Sequence, residues 1–79
     1  QEDLGLEYTG FAAAGDYAQV VVRGDRDRRE FVAFWLDPRH RVLAGMNVNV
    51  WDVGDRIKEL ILTGEPVDPD RLADTSTTL

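Results

Sequence analysis

Residues 29–36, Arg-Glu-Phe-Val-Ala-Phe-Trp-Leu, restrict the fold more than any other stretch of the chain. Phe31, Ala33 and Trp35 alternate with Val32, Phe34 and Leu36, so an extended backbone here turns apolar side chains to both sides. Such a segment predicts an internal strand, covered on both faces. The chain has 79 residues, which is room for one small domain around that strand. A domain of this size buries only about 60–65 % of the surface its unfolded form exposes, so it is marginal by size alone.

The flanking segments supply neighbours for the strand. Val20 and Val22 alternate with Gln19, Val21 and Arg23, which predicts a strand over 18–23, and Gly24-Asp25-Arg26-Asp27 follows as a turn. Asp37-Pro38-Arg39-His40 is a second turn, with Pro38 pre-set for the corner. Over 41–50, Val42, Ala44, Met46, Val48 and Val50 alternate with Leu43, Gly45, Asn47 and Asn49, and Trp51 continues the second series. That pattern predicts a strand with one strongly apolar face. Connections of about 4–6 residues join these strands as an antiparallel meander. Leu4, Leu6 and Tyr8 alternate with Gly5, Glu7 and Thr9, which adds a strand over 4–10.

Helix follows sheet. Asp52 is placed to cap a helix over 53–63, in which Val53, Ile57, Leu60 and Ile61 form one apolar stripe and Gly64 makes the stop. Asp68 and Pro69 open a short helical turn over 69–73. Residues 74–79 are polar and expected to fray. The expected fold class is α+β: an antiparallel sheet of about four strands with one main helix.

Composition excludes several kinds of chemistry. There is no cysteine, so disulfides and thiolate metal sites are excluded, and the single histidine, His40, leaves a zinc site short of its usual ligands. No apolar run approaches the length of a membrane span, and the chain starts at Gln1 without a signal peptide. It reads as a cytoplasmic piece of a longer protein. Net charge is −6, distributed as four acids and no base over 1–17, +2 over 18–51 and −4 over 52–79. An acidic domain does not suit nucleic acid, whose binding rests on neutralising phosphates. The arginines gather at the turns, as a local basic rim.

No Gly-x-Gly-x-x-Gly spacing and no nucleophile beside a base occur, so no catalytic, cofactor-binding or metal-binding residue is predicted. Asp25, Asp27, Asp68 and Asp70 sit at turns and caps, where capping and solvation account for them. His40 fits a solvated turn. Phe31, Phe34 and Trp35 lack the basic field of a base-stacking platform and fit a core. Asn47 and Asn49 stand out, because amides are depleted in strands and both fall on the series that carries Trp51. Either they bond backbone at the end of the sheet, or their face is wet because it meets another domain. Trp35, Asn47, Asn49 and Trp51 are therefore the interface candidates, aromatics being the usual anchors of a desolvated contact.

Four strings in order, VVRGD, REFVAFWL, RVLAGMNVNVWDV and the ending Gly64-x-x-Val67-Asp68-Pro69-x-x-Leu72-Ala73-Asp74, carry a family likeness. Residues 17–79 resemble the C-terminal domain of FAD-dependent NAD(P)H:ferredoxin reductases. These belong to the pyridine-nucleotide-disulfide oxidoreductase superfamily, in the branch serving oxygenase and cytochrome P450 systems. The resemblance implies a sheet with helices on one face, following FAD- and NAD-binding domains that this chain lacks. It implies FAD and NAD(P)H in the full-length enzyme and none bound by these 79 residues. The implied partners are the protein's own FAD and NAD domains and a ferredoxin, with a homodimer left open. Relatives that reduce disulfides use a histidine near the end of this domain. No histidine follows His40, which favours electron transfer over disulfide chemistry. The competing reading is a stand-alone interaction or dimerisation module with no flavoprotein parent.

Overall fold

The computed structural model describes residues 5–77 and 79. Strands β1 (Leu6–Gly10), β2 (Gln19–Asp25), β3 (Glu30–Leu36) and β4 (Val42–Val48) are followed by helices α1 (Gly54–Thr63) and α2 (Pro69–Ala73). The strands form one antiparallel sheet in the order β1-β4-β3-β2. This is the expected α+β architecture, with β2, β3 and β4 as the meander and β3 internal. Leu4, which the alternation assigns to the first strand, lies outside the described residues. Residues 11–18 carry the chain from one sheet edge to the other, around the end that holds the β3–β4 turn. Phe11 N–H donates to the Leu43 carbonyl at 3.3 Å, and Ala18 N–H to the Leu36 carbonyl at 2.8 Å.

Residues directly opposite across strands share a face. Phe34 lies opposite Val21 and Gly45, and Val32 lies opposite Arg23 and Asn47. This is the face under the helices: Val21, Val32, Phe34, Leu36 and Val42 form one buried cluster with Ile57, Leu60 and Leu72. Helix α1 seats closely because Gly45 has no side chain; a Cβ there would stand 2.6 Å from Ile57 Cγ2.

Pairing between β3 and β4 shifts by one residue near the turn. Trp35 lies opposite Ala44, but Leu36 lies opposite Val42, so Leu43 is left over as a bulge. The apolar series of β4 is thereby divided. Val42 joins the helix-covered core, whereas Ala44, Met46 and Val48 point the other way, beside Trp35, Ala33 and Phe31. The strongly apolar face of this strand is thus not the one the helices cover.

Two ends differ from the sequence reading. Asp52 does not cap α1: it lies at φ 66°, Val53 occupies the cap position, and no side chain bonds the first turn. The Glu7 carboxylate stands nearby instead, Oε1 being 3.7 Å from where a Cβ on Gly54 would be. Nor are residues 74–77 loose, Thr78 lying outside the described residues. Arg23, projecting from β2 on the helix side, donates to the carbonyls of Leu72, Asp74 and Thr77. Arg56 Nε donates to the Leu79 carbonyl at 2.9 Å. An arginine donor fork can hold several carbonyls at once, which composition of the tail does not reveal.

The β3–β4 turn is built on Asp37, which is 7 % exposed. Its Oδ1 accepts from the N–H groups of Arg39 at 2.8 Å and Arg41 at 2.9 Å, and its Oδ2 from Arg41 Nε at 2.9 Å. The Arg41 N–H bond holds the carboxyl below its ordinary value of 3.8. Burial opposes it, and the Arg41 guanidinium and the Arg39 N–H reinforce it.

Phe34→Ala should cost about 3–5 kcal/mol, because Phe34 is wholly buried between sheet and helices. Phe31→Ala, on the other face and half-buried, should cost clearly less. Urea unfolding of both variants checks the order, and equal losses would contradict the internal packing described.

A carboxyl whose value is lowered by folding adds stability above its unfolded value, lost as pH falls through the folded one. Stability should therefore decline below about pH 4, and Asp37→Asn should be weaker near neutrality with a flatter acid limb. Unfolding midpoints across the acid range test this.

Candidate functional site

After β4 the chain turns through two non-glycine residues of positive φ, Asn49 at 54° and Asp52 at 66°. Asn49 is the more constrained. Its N–H donates to the Gly5 carbonyl at 2.6 Å, its Oδ1 accepts from Gly5 N–H at 2.8 Å, and its Nδ2 donates to the Arg29 carbonyl at 2.9 Å. Asparagine tolerates the left-handed region and carries an acceptor and a donor on a short stem. It ties together the entry to β1, the exit from β4 and the β2–β3 turn.

Asn47 is 1 % exposed, on the helix face. Its Nδ2 donates to the Val50 carbonyl at 2.8 Å and to Glu7 Oε1 at 3.3 Å. Both partners only accept, which fixes the amide orientation. Oδ1 has no hydrogen-bond partner among the described residues. Trp51 is 59 % exposed and lies over Gly5, where any Cβ would overlap the indole. The shared face expected for Asn47, Asn49 and Trp51 is therefore absent. The left-handed turn at Asn49 breaks the alternation, burying one amide, locking the second into backbone and leaving the indole in water.

Trp35 lies elsewhere, on the sheet face that carries no helix. Two rows of direct partners cross that face: Leu6, Val48 and Phe31; then Tyr8, Met46, Ala33 and Val22. A third holds Ala44, Trp35 and Val20. The Tyr8 and Trp35 rings meet edge to face, with centroids 5.6 Å apart and planes at 70°. Ala33, Ala44 and Val48 are buried, while Leu6, Tyr8 and Val20 stay 44–49 % exposed. No side chain in these rows is charged. The sequence reading places these residues in strands but misses the open face. The available signal was numerical: β3 is apolar on both sides, and one amphipathic helix can cover only one.

Arg23, Arg56, Arg71, Leu60, Leu72 and Leu79 line part of a cavity of about 280 Å³, small for any dinucleotide. The Arg23 and Arg56 guanidiniums are already engaged by tail carbonyls, and Arg56 also pairs with Glu59 at 2.8 Å. Among the described residues, no group of three His, Cys, Asp or Glu side chains could hold a metal ion. Among the described residues, no helix is long and apolar enough to cross a membrane. Asp74 is held below the ordinary carboxyl value by the Ser76 hydroxyl and N–H, a tail-folding contact. The start of α1 faces the Glu7 carboxylate and carries Asp55, which oppose a phosphate at that helix terminus.

The family model for the reductase C-terminal domain matches residues 1–79. The chain belongs to that family. Among solved structures, the reductase C-terminal domain is similar to a chain from the crystal structure of the covalent putidaredoxin reductase–putidaredoxin complex, with 32 % identity and a TM-score of 0.80. The match covers 94 % of this chain but only 17 % of that one. No curated protein matches the sequence.

In this reductase C-terminal domain, Asn49→Asp tests the polar junction. It keeps an acceptor for Gly5 but removes the donor to the Arg29 carbonyl and sets a negative charge against it. The loss should be about 1–3 kcal/mol. Thermal melting at neutral pH measures it, and a variant as stable as the parent would leave Asn49 without the role assigned.

Proposed function

We propose that this domain is the C-terminal part of a cytoplasmic FAD-dependent NAD(P)H:ferredoxin oxidoreductase. Flavin and nicotinamide are held by domains outside this chain, and a ferredoxin takes the electrons. The observation that carries the reading is the likeness to a reductase solved in covalent complex with putidaredoxin, a chain of which this domain matches a minor share. The sequence agrees: it has no Gly-x-Gly-x-x-Gly phosphate loop and no nucleophile motif beside a base, which suits a domain that contributes surface rather than reaction. No observation favours a module without a flavoprotein parent.

Among the four interface residues, Trp51 borders the docking site of the redox partner. It is exposed at the end of the sheet that also carries the β2–β3 turn, where Arg26, Arg28 and Arg29 are exposed. Asp25, Asp27 and Glu30 are exposed beside those arginines, so the charge of the turn balances and the exposed indole is the anchor a partner would desolvate. Asn47 and Asn49 hold the turn that presents Trp51, and Trp35 faces the companion domains.

The test uses the full-length protein. It should retain FAD, be bleached by NADH or NADPH and then reduce a ferredoxin, whereas residues 1–79 alone should take up neither FAD nor NAD(P)H in calorimetry. A parent without flavin, or micromolar FAD binding by the domain alone, refutes the assignment. Trp51→Ala in the parent should raise KM for ferredoxin about tenfold, as losing one anchor implies, with flavin content and Tm unchanged. An unchanged KM removes Trp51 from the docking site.

A further inference from the structure

In the sheet order β1-β4-β3-β2, β1 has a neighbour on one side only. Bonds from Asn49 N–H to the Gly5 carbonyl and from Phe11 N–H to the Leu43 carbonyl set the phase of its ladder with β4. The odd-numbered residues of β1 turn their backbone groups toward β4, so Leu6 and Tyr8 turn theirs outward. Among the described residues nothing bonds to these outward groups. Beside the edge runs a groove of about 420 Å³, lined by Glu7, Tyr8, Thr9, Gly54, Asp55 and Lys58. A free strand edge with a helix alongside is the geometry in which an extended segment adds as a further strand. We infer that β1 takes up an extended segment of a separate polypeptide as a fifth, antiparallel strand, and that apolar residues alternate with basic ones along that segment.

The two faces of the sheet dictate the alternation. Residues directly opposite across strands share a face, so those opposite Leu6 and Tyr8 extend the helix-free apolar face. Leu6 and Tyr8 are 49 % and 47 % exposed, with side-chain surface left for apolar neighbours. The intervening residues lie opposite Glu7 and Thr9, over the groove. There Glu7 and Asp55 outnumber Lys58, and neither acid has an ion-pair partner among the described residues. The Glu7 carboxylate accepts only from the neutral Asn47 amide, so its charge stays available to a basic side chain. Charge also decides against a second copy, whose own β1 would bring another Glu7 and Asp55 to the same groove. The antiparallel sense follows the sheet, in which every pair is antiparallel. Nor is the edge guarded against addition: β1 holds no proline or lysine, and its register with β4 runs without a bulge.

Two labelled synthetic octapeptides, one alternating valine with lysine and one alternating valine with glutamate, test this by fluorescence anisotropy on the full-length protein. The valine–lysine peptide should bind, and the valine–glutamate peptide several-fold more weakly. In an antiparallel fifth strand the residues opposite Leu6 and Tyr8 turn their N–H groups to β1. N-methylation of the valines should therefore weaken binding about tenfold or more, whereas N-methylation of the lysines should not. The opposite pattern, an equal effect of both methylations, or no binding of the valine–lysine peptide overturns the inference. Glu7→Gln keeps the acceptor for Asn47 and removes the charge. It should narrow the preference for lysine over glutamate with Tm unchanged, and a preference left intact overturns the charge selection. Sedimentation of the full-length protein covers the remaining occupant: dimers that the peptide dissociates would assign the edge to a second copy and overturn the separate partner.

Discussion

A sheet with two apolar faces and helices for only one of them is the constraint on which the rest depends. Both series of β3 are apolar, so neither face can be left wet without loss. Yet α1 offers a single stripe, with Ile57 and Leu60 buried, and α2 adds only Leu72. The helical layer must choose, and Gly45 decides the side. Ile57 occupies the space that any side chain at Gly45 would fill, so the helix lies close to the backbone of β4. On the opposite face Met46, Tyr8 and Trp35 stand up from the sheet and spread over Ala33 and Ala44, which leaves no such groove. Seating the helix on one side and filling the other with large side chains follow from one placement of small residues.

Elements with strong periodicity were legible in the sequence, including the four strands, the main helix and the short one, each within a few residues. What was not legible depends on contacts between distant segments. Alternation along β4 is real, but the bulge at Leu43 sends Val42 to one face and Ala44, Met46 and Val48 to the other. No local pattern records a bulge set by the partner strand. Asp52 has the right chemistry for a cap and the wrong position, because its positive φ turns the chain before the helix starts. The tail reads as frayed because its own residues are polar and small. Its order comes from Arg23, about fifty positions earlier. For the four interface candidates, the alternation rule placed Asn47, Asn49 and Trp51 together until Asn49 left the extended region.

The turns share one device. Arg29, His40 and Asn49 all take positive φ, a conformation that costs a non-glycine residue about 1–2 kcal/mol when nothing else favours it. Each is held by a bond from a remote segment. Asn49 Nδ2 donates to the Arg29 carbonyl, Val67 N–H donates to the His40 carbonyl at 2.8 Å, and Gly5 engages Asn49 from both its N–H and its carbonyl. These bonds link the ends of the sheet to the entering chain and to the segment between the helices. A small domain without disulfides gains its unique shape at these points as much as in its core.

This economy bears on how, on the proposed reading, a domain made of surface and scaffold serves an electron-transfer protein. On the proposed reading, the transfer happens in other domains, and what they need from this one is a fixed dry wall and a fixed rim. A dry wall requires an apolar face that keeps its shape, which the Tyr8–Trp35 contact over Ala44 supplies without a helix on that side. A fixed rim requires that Trp51 and the β2–β3 turn not move relative to that wall. Asn49 links them directly, because the same amide that receives the entering chain also holds the carbonyl of Arg29. The acidic α1 start fits the same division, since it keeps phosphate away from the one helix terminus long enough to attract it. On that reading cofactor binding and cofactor enclosure fall to separate domains, and a domain that only encloses can be built from packing and hydrogen bonds alone.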